Sequence, residues 1–114
     1  MHEYSLIMSL LSRVEDEVRR RGALRVHALA LRVGDLSGVD PDLLAGAYEL
    51  AREGTPCASA ELRVTRVPAL WSCPGCRKPF APGEVLKCAA CGAAAVLSDG
   101  ADALTLDSIE MEVP

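Results

Sequence analysis

Aromatic residues are scarce in this 114-residue chain: Trp71, Phe80, Tyr4 and Tyr48 are the whole set. Half the residues are nonetheless apolar, so any packed core is built mainly from Leu, Val and Ala. Excess positive charge is also lacking, because the net charge is −4. That excludes a general nucleic-acid binder, which needs a basic footprint. The one basic cluster, Arg19-Arg20-Arg21 with Arg25, follows Glu15, Asp16 and Glu17 and suits the solvated C-terminal end of a helix. No run of about 18 apolar residues occurs, so no membrane-spanning helix is expected. The opening Met-His-Glu turns amphipathic at once and is not a secretory signal, which points to a cytoplasmic protein. There is no Ser/His/Asp order and no phosphate-binding glycine loop, so the sequence does not read as an enzyme.

What is present is cysteine, unevenly placed. Four of the five cysteines form Cys73-Pro74-Gly75-Cys76 and Cys88-Ala89-Ala90-Cys91-Gly92. Paired CxxC turns without a signal peptide point to a metal in a reducing compartment. Four thiolates satisfy tetrahedral Zn(II) and leave no open position, the structural arrangement. Rubredoxin-like iron would use the same ligands. The eleven residues between Cys76 and Cys88 suffice for a short hairpin that joins the two turns. Arg77, Lys78 and Lys87 would offset the thiolate charge. Cys57 lies outside this set and reads as a buried small apolar residue.

The segment from Pro68 to Gly100 has too few large apolar residues for a core of its own and needs a metal staple. The chain around it shows regular patterning. Leu6, Ile7, Leu10, Leu11, Val14 and Val18 make one face of a helix over Tyr4–Arg21, stopped by Gly22. Leu24–Val33 predicts a strand with a bulge or an irregular start near His27-Ala28. Asp40-Pro41 starts a second helix as N-cap and first residue, with Leu43, Ala47, Leu50 and Ala51 as its buried stripe. Ala60, Leu62 and Val64 alternate with polar residues as a half-exposed strand. Leu104–Val113 predicts a last strand with a phase change at Asp107-Ser108. The expected fold is α+β: two helices packed on a three-stranded sheet, with an inserted zinc-ribbon-like lobe held by four cysteines. The expected division is residues 1–68 completed by the final strand at 101–114, with 69–100 as the zinc-binding domain and Pro68 and Gly100 as flexible joints.

Met1, His2 and Glu3 form a second, quieter constellation. A free α-amine, an adjacent imidazole and backbone amides can close fused chelate rings, and nitrogen-rich square-planar coordination suits Ni(II) or Cu(II). These ligands lose protons on binding, so affinity should fall in mild acid. By itself a histidine at position 2 is an ordinary terminal residue.

The wider sequence gives that terminus a context. Met1-His2-Glu3-Tyr4-Ser5-Leu6, then Val33-Gly34-Asp35-Leu36-Ser37-Gly38-Val39-Asp40-Pro41, then the two CxxC turns, and finally Leu104-Thr105-Leu106-Asp107-Ser108-Ile109-Glu110-Met111-Glu112 resemble, in order, the HypA/HybF hydrogenase maturation factors. The resemblance spans essentially the whole chain. It implies a nickel metallochaperone that supplies Ni(II) for nickel–iron hydrogenase maturation. The implied partners are a HypB-type GTPase, the hydrogenase large-subunit precursor and, in some members, urease maturation proteins. It implies neither nucleic acid nor membrane as a partner, and a monomer or weak homodimer. By the same resemblance His2 is the imidazole ligand to nickel, Met1 gives its amine and Glu3 its amide or carboxylate. Cys73, Cys76, Cys88 and Cys91 hold structural zinc. Asp40 matches a position that serves as an oxygen ligand in some members, besides being an N-cap. His27 reads as a structural or solvent-facing residue. The competing reading is a zinc-ribbon interaction adaptor whose terminus carries nothing.

Overall fold

The computed structural model describes residues 2–75, 88 and 92–114. Two helices, α1 (His2–Arg21) and α2 (Pro41–Ala51), pack with three strands, β1 (Arg25–Gly34), β2 (Glu61–Val67) and β5 (Leu104–Glu112). The sheet order is β2-β1-β5. Strands β1 and β2 run parallel, and α2 is the crossover that a parallel pair requires. Strand β5 returns antiparallel to β1. Between β2 and β5 the chain forms a small antiparallel pair, β3 (Trp71–Ser72) and β4 (Val96–Leu97). The architecture is the α+β arrangement of two helices and a three-stranded mixed sheet.

Helix α1 buries Ile7, Leu11 and Val14, with Leu6, Leu10 and Val18 packed beside them, as its periodicity requires. It begins at His2, two residues before the expected start, and ends where Gly22 takes φ 60. The bulge expected near His27 is present: β1 and β5 slip register between Val26 and Ala28, leaving His27 out of the ladder. A second slip, between Ala30 and Leu31, leaves Asp107 out of the pairing on β5. That bulge is the phase change seen in the last strand.

The stripe assigned to α2 needs correction. Leu43 and Leu50 are 57% and 75% exposed, while Leu44, Ala47 and Tyr48 are buried. The i, i+3, i+4 row of Leu44, Ala47 and Tyr48 packs into the core, and Tyr48 on it also reaches the loop before β2. There its hydroxyl donates to the Ala60 carbonyl at 2.8 Å, with the Cys57 carbonyl at 3.3 Å. Burial pushes the Tyr48 phenol up to about 12. A phenol raised in the folded state contributes stability that is complete below its unfolded value, about 10. That contribution is lost as pH rises through the folded value. Tyr48→Phe is therefore expected to cost about 1 kcal/mol near neutrality and to show a shallower loss of stability in strong alkali. Urea midpoints at neutral and alkaline pH check both.

The sheet face turned away from the helices is held by charge. Ala28 and Ala30 are small, so Arg63 of β2 reaches across β1 to Glu110 of β5 at 2.9 Å. Arg32 meets Asp107 at 2.8 Å. These pairs are solvent-exposed and are worth little individually.

Pro68 and Gly100, expected as flexible joints, are bracketed by hydrogen bonds. Ser98 donates from its amide to Leu70 O (2.7 Å) and from its hydroxyl to Pro68 O (2.7 Å). Leu36 N donates to Ala101 O at 2.8 Å. The end of β1 presses on this strap: a Cβ at Gly34 would fall well inside van der Waals contact with the Ala101 carbonyl. Backbone cannot yield as a flexible side chain would. Gly34→Ala is expected to lower stability by about 3 kcal/mol, a fall in the thermal midpoint of roughly 10 °C, measurable by calorimetry.

Candidate metal centres

Helix α1 opens on His2, which is exposed, followed by half-buried Glu3. The first amides of any α-helix have no intrahelical acceptor. The His2 and Glu3 N–H groups can therefore be given up to a metal without breaking the helical ladder. The positive end of the helix dipole repels a bare cation but favours anionic ligands. A cation held here would need anionic or proton-releasing donors, such as a carboxylate or a deprotonated amide, to offset that end of the dipole. Met1 lies outside the described residues.

Glu3 has a partner that sequence did not suggest. Its Oε2 accepts a hydrogen bond from the Asp40 amide at 3.3 Å, which ties the first turn of α1 to the entrance of α2. Asp40 has extended backbone (φ −86, ψ 117), and its Oδ1 accepts from the amides of Asp42 (2.9 Å) and Leu43 (3.2 Å). Asp40 is thus an N-cap, and it stands beside Glu3. The two residues are 37 positions apart, and each has a sufficient local reason for its identity, so no sequence signal links them. Among the described residues, no three His, Cys, Asp or Glu side chains gather into a metal cluster. Among the described residues, side chains alone do not make a cage at this end.

His27 belongs elsewhere. It shares a groove with Glu17 and Arg21 at the C-terminal end of α1, and its Nε2 lies 3.6 Å from Glu112. The length of a 20-residue helix, about 30 Å, separates it from His2. It is solvent-facing, as its sequence context suggested.

At the other end of the molecule, Cys73 directly follows β3 and is 1% exposed, and Cys88 is also buried. Around Cys88 the chain folds back on itself. Gly92 N donates to Cys88 O (2.8 Å), and Cys88 N donates to Ala93 O (2.9 Å). Gly92 closes this turn with φ 72, a conformation that favours glycine. Buried soft sulfur donors beside a two-residue strand pair, in a segment with little apolar mass, fit a thiolate-bound zinc. Cys76 and Cys91 lie outside the described residues. Cys57 is fully buried in the main core with Tyr48 and Ala60, and burial pushes its thiol up. It packs as a small apolar residue.

Residues 1–111 match the family profile described as hydrogenase/urease nickel incorporation, metallochaperone, hypA. The hydrogenase maturation factor HypA of Methanopyrus kandleri is 32% identical, covering all of this chain and 95% of that protein. Its counterpart in Nitrosospira multiformis is 35% identical over 97% of each. The solution structure of the Ni metallochaperone HypA from Helicobacter pylori superposes with a TM-score of 0.69 at 24% identity, over 98% of both chains. A second solution structure, of a HypA protein, gives 0.73 at 27% identity, covering 97% of this chain and 96% of the other.

Proposed function

Because the chain belongs to the HypA family of hydrogenase/urease nickel-incorporation metallochaperones, we propose that it binds Ni(II) through its amino terminus and delivers it for nickel–iron hydrogenase maturation. The ligands in this reading are the Met1 amine, the backbone nitrogen and imidazole of His2, and Glu3 through its amide or carboxylate. Nickel is cargo that must bind and then leave. Exposed nitrogen and oxygen donors on a terminus let it go, whereas a closed set of thiolates would hold it. The observation that carries the reading is the Glu3–Asp40 hydrogen bond. It ties Glu3, in the first turn of α1, to the entrance of α2.

Cys73, Cys76, Cys88 and Cys91 are proposed to hold one structural Zn(II). When bound, the ion supplies no reaction; it cross-links a segment that lacks an apolar core. On this basis residues 1–68 with 101–114 form the nickel-binding domain and 69–100 the zinc-binding domain. A HypB-type GTPase, the hydrogenase large-subunit precursor and urease maturation proteins are the proposed partners. No described helix is long and apolar enough to cross a membrane. Delivery involves no turnover by this chain.

The deciding experiment is Ni(II) calorimetry on the untagged full chain against His2→Ala, with zinc content measured in parallel. Tight nickel binding should vanish in the variant while zinc stays constant. Equal nickel binding by both proteins would favour the adaptor reading, in which the terminus carries no metal.

A further inference from the structure

Beside the terminal site lies an apolar groove of about 250 Å³, lined by Glu3, Tyr4, Asp42, Leu43, Gly46, Ala47 and Leu50. Tyr4 of α1 forms one wall, and Leu43 and Leu50, one heptad apart on α2, form the other; Gly46 and Ala47 are its floor. Leu50 and Leu43 are 75% and 57% exposed, and Tyr4 is 38% exposed. Exposed singly they would need no explanation, but aligned around a groove they mark a contact surface. Gly46 strengthens the case. It sits inside a helix, where glycine is disfavoured, its φ is not positive, and a Cβ there would meet nothing within 4 Å. Among the described residues nothing packs against that position. A body approaching from outside would need the side chain to be missing.

We propose that this groove docks an amphipathic helix of a partner protein whose apolar face is flanked by Lys or Arg. Charge decides the occupant. Both charged residues that line the groove, Glu3 and Asp42, are acidic, so flanking cations on the partner are complementary. A second copy of this chain in a two-fold pair would bring the same carboxylates face to face. The ridge of Leu43 and Leu50 above a small-residue floor suits helix packing, with ridges set into grooves. Glu3 and Tyr4 directly follow His2, so a docked partner stands next to the terminal residues. The proposal does not depend on nickel being bound there.

The test uses the full zinc-loaded chain and two synthetic helical peptides, one with leucine and lysine faces and one with leucine and glutamate faces. Amide shifts are mapped by NMR, and affinities are measured by fluorescence anisotropy at low and moderate salt. The lysine peptide should shift residues 3–4 and 42–50, and the glutamate peptide should not bind. Gly46→Leu, which fills the floor, should weaken binding at least about tenfold with the thermal midpoint and nickel titration unchanged. Asp42→Asn should weaken it and reduce its salt dependence. Should Gly46→Leu disturb the fold, Leu43→Ser with Leu50→Ser, both at exposed sites, makes the same comparison. Equal binding of both peptides, shifts outside the groove, or indifference to these substitutions would overturn the proposal. So would sedimentation showing self-association through the same residues. Nickel binding lost in His2→Ala but retained in Gly46→Leu separates the two proposals, since each can then fail alone.

Discussion

A single residue added ahead of Met1 is expected to lower Ni(II) affinity by about two orders of magnitude or more, as is alanine at His2. The two changes act on different ligands. Extension turns the α-amine into an amide and displaces the chelate by one residue, whereas His2→Ala removes the imidazole and leaves the amine. Neither touches a core residue, since His2 is exposed, so circular dichroism and melting should match the parent. Glu3 offers a graded comparison. Glu3→Gln keeps a carbonyl oxygen able to accept from the Asp40 amide and removes only the charge. Glu3→Ala removes both. If Glu3 acts chiefly by anchoring the first turn, Gln should retain most of the affinity that Ala loses. Calorimetry on untagged protein is required, because a tag at this end is itself an extension. Undiminished binding by the extended chain would rule out the terminal chelate.

Replacing Cys73 with serine is expected to have the largest structural effect, and a local one. Structural zinc in small Cys-rich modules supplies about 10–16 kcal/mol of apparent binding energy, which is also their folding energy. Loss of one thiolate should release the ion and unfold the pair β3 and β4. The helix–sheet body should survive. Its buried cluster runs from Ile7 to Ala60, and the partly buried residues packed against it extend only to Leu62, Val64, Leu104, Leu106 and Ile109. No described residue between Pro68 and Gly100 contributes to that cluster. Trp71, two positions before Cys73 and the only tryptophan, should report the change by a red-shifted emission, while the melt of the body persists. Complete unfolding would argue against the two-domain division. Nickel titration of the same variant asks whether the ends communicate. The physical link is short: the loop after β1 is bonded to Ala101 through Leu36 and leads to Asp40, which is bonded to Glu3. Unchanged nickel affinity and stoichiometry with the body folded would exclude coupling through that loop.

Much of this architecture was legible residue by residue, because it rests on local chemistry. The stripe of α1, the Asp40 cap, Gly22 as a stop and both β-bulges follow from periodicity and backbone preference, which neighbours in the chain determine. The phase of α2 was not legible. Leu43 and Leu50 lie on one side and Leu44 and Tyr48 on the other, and either row satisfies helical spacing. The second row is the one packed in the core, where Tyr48 also bonds to a loop 12 residues away. The same holds for Glu3 and Asp40, whose contact spans 37 positions, and for Gly34 against Ala101. The sequence by itself determined the two helices and the three strands of the main sheet, for those depend on near neighbours. Only the tertiary structure decided which apolar row is buried, which is left as an open groove, and how the entrance of α2 comes to lie beside the terminus. Those outcomes depend on distant groups competing for the same space.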